Sequence, residues 1–106
     1  MSIDVATGLA RILKQEGVEW VSTFPVCKVN NALGREGVPM VMMRDDRYAV
    51  AVADAYSRIM AGSKNGVCTF LGGVNAAGLL VAFAGMAQGF EDGSPVLCIS
   101  DGISVG

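Results

Sequence analysis

The sequence of 106 residues contains no histidine. Catalysis that needs an imidazole, such as a Ser-His-Asp triad or a Cys-His pair, is therefore excluded. Most transition-metal sites are excluded with it, and we expect this chain to supply no metal-binding residues. Any acid–base chemistry must come from carboxylates, Lys, Tyr, Cys or a bound cofactor.

Cysteine and positive charge are also scarce. The three cysteines, Cys27, Cys68 and Cys98, are odd in number and far apart, with no paired Cys-x-x-Cys spacing. We expect Cys68 and Cys98 to be small buried hydrophobes and the protein to be reduced and cytoplasmic. The eight Lys and Arg residues are dispersed and the net charge is −2, so no nucleic-acid partner is expected. The N-terminus shows no basic start followed by an apolar run, so no signal peptide is expected.

Apolar residues are plentiful, and their pattern alternates between strands and helices. Hydrophobic residues make up 52% of the chain and charged residues 17%, which is enough for one domain over residues 1–106 with its own core. The strand-like runs are almost continuously apolar, as in a parallel sheet covered on both faces. We predict a three-layer αβα Rossmann-like fold with a mainly parallel sheet of about four strands. The first predicted helix has Ser2 as its N-cap and ends before Gly17. The second begins at Asn30 or Asn31 and ends at Glu36, and two longer helices span 46–61 and 74–90. The predicted strands span 18–24, 39–43, 67–71 and 95–100.

The two later helices are apolar on more than one side. In the helix over 46–61, only a narrow edge is polar, and the helix over 74–90 has no charged residue from Ala76 to Ala87. A helix of this kind must be covered on more than one side, so we expect a second subunit or a further domain to pack against both helices. A membrane span is the alternative for 74–90, but its apolar run is shorter than about 20 residues, so we expect no membrane segment. The sequence ends directly after the last predicted strand, which would leave a sheet edge uncovered, so we expect the chain to be part of something larger.

An acidic turn joins one predicted strand to the helix over 46–61. Asp45 and Asp46 follow the apolar run 39–43 and begin the helix. Ligands of open α/β sheets bind at the carboxyl ends of the strands, so either carboxylate is a candidate site residue. Helix capping is the structural alternative, because Asp is favoured at an N-cap and beside the positive end of the helix dipole.

Several ordered motifs carry a family resemblance that runs over nearly the whole chain. The first strand ends in Thr23-Phe24-Pro25-Val26, and the helix reads Ala49-Val50-Ala51-Val52-Ala53-Asp54-Ala55-Tyr56-Ser57-Arg58. A Gly72-Gly73-Val74-Asn75 loop and Asp92-Gly93-Ser94-Pro95-Val96-Leu97 follow in order. Together they resemble the amino-terminal, pyrimidine-binding domain of thiamine diphosphate-dependent enzymes of the acetolactate synthase and 2-oxo-acid decarboxylase type. Relative to that family, the sheet is expected to lack its last strand and helix.

The resemblance implies a cofactor, thiamine diphosphate, and a role for each matched position. The family's Glu at the helix start hydrogen-bonds the aminopyrimidine and promotes the tautomer that removes the thiazolium proton. Counted back from Arg58, that position is Asp46, which becomes the candidate catalytic residue, with Asp45 where the family has His. The resemblance further implies cofactor contacts from positions in the two loops. These are Pro25, Val26, Gly72, Gly73 and Asn75.

The chain departs from the family pattern at important positions. Asp46 is one methylene shorter than Glu, which shortens its reach by about 1.5 Å, and a misplacement on the order of 1 Å can cost roughly a hundredfold in rate. Val26 replaces a loop Gly. The half that holds the diphosphate and Mg²⁺ in the family is absent from this sequence. We therefore expect a truncated domain or half of a split enzyme, inactive alone, whose partner is a separate diphosphate-binding subunit or a further copy that packs on the helices over 46–61 and 74–90.

Other interpretations remain open. The chain is alternatively a non-catalytic oligomerisation or interaction module derived from this domain. A third hypothesis is a small nucleotide-binding domain in which Gly72 and Gly73 cradle a phosphate, although they lack the spacing of a dinucleotide fingerprint. We interpret Asp54 and Arg58, spaced i, i+4, as a surface pair. Cys27 is an ordinary loop cysteine or a thiol with a lowered pKa beside Lys28, and Met40, Met42 and Met43 are expected to fill the core.

Overall fold

The computed structural model describes residues 2–24, 27–60, 62–70 and 77–102. Within these ranges helices and strands alternate as the sequence predicts, and the sheet is parallel throughout. The elements are α1 (Val5–Gln15), β1 (Val21–Thr23), α2 (Lys28–Arg35), β2 (Met40–Met42), α3 (Asp46–Met60), β3 (Gly66–Phe70), α4 (Ala77–Glu91) and β4 (Val96–Ser100).

The helix starts differ from the predicted ones at two places. Asp4, not Ser2, is the N-cap of α1, and its carboxylate accepts a hydrogen bond from the backbone N–H of Thr7 over 2.7 Å. Helix α2 begins at Lys28 after Cys27, which makes no side-chain capping bond. Asn30 therefore lies inside α2 and is free to use its amide elsewhere.

The strand order is β2-β1-β3-β4, so the sheet has a topological switch point between β1 and β3. From β1 the chain runs through α2 to β2 on one side, and from β2 it returns through α3 across β1 to β3. Helices α1 and α2 contact each other on one face of the sheet, and α3 and α4 contact each other on the other face. This is the predicted three-layer αβα arrangement, and its switch point is where open α/β sheets bind ligands.

Two hydrophobic clusters lie on the two faces of the sheet. Under α1 and α2 the buried residues include Leu13, Val21, Leu33 and Val67. Under α3 and α4 they are Ala49, Val50, Ala53, Cys68, Phe70 and Ala82. Neighbouring residues of one strand belong to different clusters because successive side chains of a strand point to opposite faces.

The expectation that the methionines near β2 fill the core is wrong for two of them. Met40 and Met42 are 36% and 64% exposed, while Met43 is partly buried against the cluster under α3. The reason is the strand order, in which β2 is an outer strand of the sheet. Helix α3 runs from the end of β2 toward β3.

Helix α3 buries its small residues more fully than its large apolar ones. Tyr48 and Ile59 are 49% and 80% exposed, whereas the small residues Ala49 and Ala53 lie fully against the sheet. Asp54, predicted to be at the surface, is buried at 6% exposure. Small side chains let the helix approach the strands closely. As a result, Asp54 lies between α3 and the turn that follows α4.

Helix α4 carries a large exposed apolar surface. Only Gly78, Ala82 and Gly89 are buried in this helix, while Leu80, Phe83 and Phe90 are 71%, 62% and 85% exposed. The expected excess of apolar surface is therefore present in the folded chain. Within the described ranges, no helix is both long and apolar enough to cross a bilayer.

Candidate functional site

The carboxyl ends of three strands meet at one edge of the sheet. The backbone N–H of Phe24, just after β1, donates to the carbonyl of Thr69 in β3 over 3.1 Å. The N–H of Met43, just after β2, donates to the carbonyl of Thr23 over 2.7 Å. These bonds bring the start of α3 beside the end of β1, next to the switch point.

A buried polar network lies at the switch point. The hydroxyl oxygens of Thr23 and Thr69 are 2.6 Å apart. The side-chain amide of Asn30 donates to the Thr23 hydroxyl over 2.8 Å, and its oxygen accepts from the Thr69 hydroxyl over 2.7 Å. The two threonines are almost fully buried. The network joins β1, β3 and α2 with all three side chains satisfied, which makes this part of the edge rigid.

This network is not predicted by the sequence pattern. Asn30 is predicted to cap a helix, whereas it lies in the first turn of α2 and its side chain bonds to the two strands. The available signal was weak: Thr23 is the last residue of β1 and Thr69 the next to last of β3. Threonines near the carboxyl ends of two strands indicate that both strands end at a polar part of the sheet.

Asp45 is the N-cap of α3. Its carboxylate accepts a hydrogen bond from the backbone N–H of Tyr48 over 3.2 Å and lies 3.2 Å from the guanidinium of Arg47. Its carbonyl accepts from the N–H of Ala49. Partial desolvation raises the pKa of Asp45, but the bonds from Tyr48 and Arg47 outweigh this effect and hold the pKa below its ordinary value. The capping interpretation is therefore the one that the contacts of Asp45 support.

Asp46 occupies the first position of α3 and is only 7% exposed. The two adjacent carboxylates thus lie in different surroundings. Asp45 caps the helix at the surface, and Asp46 is buried near the carboxyl ends of the strands. A carboxylate accepts hydrogen bonds, and a protonated ring nitrogen of a ligand is a donor of the kind from which it accepts. The residues at this edge fit the pyrimidine part of the implied cofactor in this respect.

The predicted contacts of the two loops cannot be placed. Pro25, Val26, Gly72, Gly73 and Asn75 lie outside the described residues, and so does the phosphate cradle proposed for the two glycines. Of the predicted site residues, the described structure brings together Asp45 and Asp46 alone, because they are adjacent in the chain. In the described ranges, no three His, Cys, Asp or Glu side chains are grouped closely enough to hold a metal ion.

Cys27 lies beside this edge, at the start of α2, and its surroundings decide between the two interpretations of its thiol. The residue is 4% exposed. Burial raises the pKa of the Cys27 thiol, and the nearby negative charge of Asp101 raises it further. Of the two interpretations, the lowered pKa is wrong, because burial and a carboxylate both disfavour the thiolate.

Comparison with known proteins adds one match. The family described as thiamine pyrophosphate enzyme, N-terminal TPP binding domain, matches residues 3–106 of the chain. No curated protein matches the sequence. Thiamine pyrophosphate is another name for thiamine diphosphate, so the match names the cofactor that the sequence resemblance implies.

Proposed function

The chain belongs to the thiamine pyrophosphate enzyme N-terminal TPP binding domain family, and from this we propose that it is the pyrimidine-binding half of a thiamine diphosphate-dependent decarboxylase or carboligase acting on a 2-oxo acid. The observation that carries the proposal is the burial of Asp46 at the edge of the sheet beside the switch point. In the family pattern the carboxylate at this position faces the cofactor. The charge of Asp46, its position at the start of α3 and its burial support this role.

The residues of this chain would bind and orient the cofactor, not perform the bond chemistry. When bound, thiamine diphosphate supplies the nucleophilic carbon that attacks the 2-oxo acid. Asp46 would accept a hydrogen bond from the aminopyrimidine ring and hold a proton there. Asp45 keeps the first turn of α3 in place through its cap, and the Asn30 network keeps the ends of β1 and β3 in place. Positioning of this kind can contribute several orders of magnitude to a rate.

The proposal includes a partner for the remaining cofactor contacts. Diphosphate and Mg²⁺ would be held by a separate chain, and further copies or that chain would cover the apolar surface of α4 and the outer side of α3. The exposed Leu80, Phe83 and Phe90 support this association. We also propose a cytoplasmic location, supported by the three cysteines, which are free thiols.

Calorimetry tests this function. Thiamine diphosphate with Mg²⁺ is titrated into the chain alone and into the chain mixed with a candidate diphosphate-binding partner. We expect heat of binding only in the mixture, a large loss of affinity in Asp46→Asn, and tighter binding in Asp46→Glu, whose carboxylate reaches about 1.5 Å further. Asp45→Asn is the matched control, because Asn caps a helix as well as Asp does. Absence of binding with a competent partner, or unchanged binding in Asp46→Asn, would contradict the proposal.

A second candidate is a non-catalytic association module, favoured by the shorter carboxylate at position 46 and by the exposed apolar surface of α4. It predicts that Asp46→Ala leaves the assembly with its partner unchanged and lowers only the stability of the start of α3. The same titration separates the two functions. A module binds the partner but gives no heat with thiamine diphosphate.

A further inference from the structure

Cys68 and Cys98 face each other across two neighbouring strands. Cys68 of β3 pairs in register with Cys98 of β4, and both are free thiols. Their Sγ atoms are 3.5 Å apart. Side chains that pair in register on adjacent parallel strands point to the same face, so the two thiols are held side by side by the backbone of the sheet.

The backbone spacing suits a covalent bond between them. Adjacent strands lie about 4.7–4.9 Å apart, which is inside the range of about 4.4–6.8 Å that disulfides accept between Cα atoms. Closing the gap between the Sγ atoms from the observed 3.5 Å to a bond of about 2.05 Å requires rotation of the two side chains. Since the pair sits between two regular strands, its geometry does not depend on a loop.

The two thiols differ in access. Cys68 is fully buried, whereas Cys98 is partly exposed and lines an apolar groove of about 480 Å³ between α4 and β4. Phe83, Met86 and Phe90 form the helix side of this groove. A small molecule that enters it therefore reaches the sulfur of Cys98 first.

The hydrogen bond between the thiols gives them different roles. The S–H of Cys68 donates to the sulfur of Cys98. This bond raises the pKa of Cys68, as burial does, and it lowers the pKa of Cys98. The exposed thiol is thus the better nucleophile of the two, and the buried one is placed to react second.

We propose that Cys68 and Cys98 form a thiol–disulfide site, in which Cys98 reacts with a low-molecular-weight organic disulfide in the groove and Cys68 then completes an internal disulfide. In the first step the Cys98 sulfur bonds to one sulfur of the reagent, the reagent's S–S bond breaks, and the released thiolate takes the Cys98 proton. In the second step the Cys68 sulfur bonds to Cys98, and the second thiolate leaves with the Cys68 proton. Two electrons pass from the protein thiols to the reagent, which leaves as two thiols.

The site lies apart from the polar network at the switch point, but its groove shares Phe83 and Phe90 with the surface proposed for association, so the reaction applies to the unassociated chain. Cys68 and Cys98 lie two residues before the ends of β3 and β4, on the face under α3 and α4, whereas the polar network of Thr23 and Thr69 lies on the face under α2. Oxidation would add a reversible covalent link between β3 and β4. The link is removed by an added thiol.

The test uses the full chain in native buffer with 2-hydroxyethyl disulfide as the reagent. We expect the intact mass to fall by two hydrogen atoms, with no stable adduct. No Lys or Arg lies between the two cysteines, so trypsin leaves them in one peptide and cleavage after Glu91 is needed. That cleavage places Cys68 and Cys98 in separate fragments, which should be joined before reduction and released after it. Circular dichroism recorded alongside verifies that the chain stays folded.

Three single variants separate the roles of the thiols. Cys68→Ser should hold a stable mixed disulfide on Cys98, because no second thiol displaces it. Cys98→Ser should leave Cys68 unmodified, since Cys68 is buried. Cys27→Ser should oxidise like the wild type. The proposal is overturned if the folded wild type keeps both thiols free, if a bond forms only in urea, or if Cys27 is the residue modified. The measurement on the wild type is sufficient for this decision even where a variant fails to fold.

Discussion

The hydroxyl oxygen of Ser57 accepts a hydrogen bond from the backbone N–H of Gly66 over 2.7 Å. The same hydroxyl lies 2.6 Å from the carbonyl oxygen of Pro95, to which it donates. One side chain of α3 thus satisfies backbone groups at the starts of both β3 and β4. Gly66 permits this contact, because a Cβ at that position would overlap the backbone carbonyl of Ala53.

Ser57→Ala is expected to destabilise the fold by about 1–3 kcal/mol, because it leaves the buried N–H of Gly66 without its partner and removes the hydrogen bond to the carbonyl of Pro95. Urea unfolding measures the loss, and the Gly66 amide should exchange its hydrogen faster in the variant. Ser63→Ala removes an exposed hydroxyl that bonds to the Met60 carbonyl and should change stability by less than about 0.5 kcal/mol. Equal effects of the two variants would disprove the bridging role of Ser57.

Thr69→Val keeps the shape of the side chain but removes the hydroxyl from the buried network at the switch point. The amide oxygen of Asn30 then loses its donor, and we expect a loss of about 1–3 kcal/mol in the free energy of unfolding. Thr69→Ser keeps the hydroxyl and should retain the hydrogen bonds, at the smaller cost of a lost methyl group. A Ser variant that is no more stable than the Val variant would show that packing, and not the network, stabilises this edge.

Asp54 should make stability depend on pH in the acid range. Burial raises the pKa of Asp54, but the guanidinium of Arg58, 3.0 Å away, outweighs burial and holds the pKa below its ordinary value. The unfolded chain therefore binds the proton more readily. The stabilising contribution is complete above about pH 3.9, the usual pKa of Asp, and is lost as the pH falls through the lower native value.

The comparison of wild type with Asp54→Asn by urea unfolding at about pH 6 and about pH 2.5 isolates this contribution. We expect the variant to be less stable by about 1 kcal/mol at the higher pH, a value reduced for the partial exposure of Arg58, and the difference to shrink at the lower pH. Asp92→Asn is the control, because Asp92 bonds to the same Arg58 from an exposed position. A difference that grows as the pH falls would contradict the assignment.

Phe83→Glu is expected to shift the protein toward a smaller assembly, because it places a charge in the exposed apolar surface of α4. Sedimentation of wild type and variant at matched concentrations measures the change, and the effect should be at least about tenfold in the dissociation constant if Phe83 is central to the contact. Val5→Glu is the matched control, since Val5 is 88% exposed on the opposite layer of the molecule. A wild type that is monomeric with and without its partner would contradict the association.

The family and the order of elements could be predicted from sequence because both are properties of local pattern. Apolar runs broken by Gly and Pro mark the strands, and the ordered motifs from Thr23 to Leu97 carry the resemblance that the family match confirms. Helix α3 was predicted to begin at Asp46, and it does. Whether Asp46 acts on a cofactor stays a prediction.

The alternation of helices and strands, the start of α3 and the excess of apolar surface follow from local sequence pattern, because each depends on residues close together in the chain. Three features become visible only in the folded chain: the hydrogen bonds of Asn30 to Thr23 and Thr69, the burial of Asp54, and the contact between Cys68 and Cys98. These contacts depend on which strands are neighbours and in what register they pair. Strand order arises from packing of the whole chain, so no local pattern contains it.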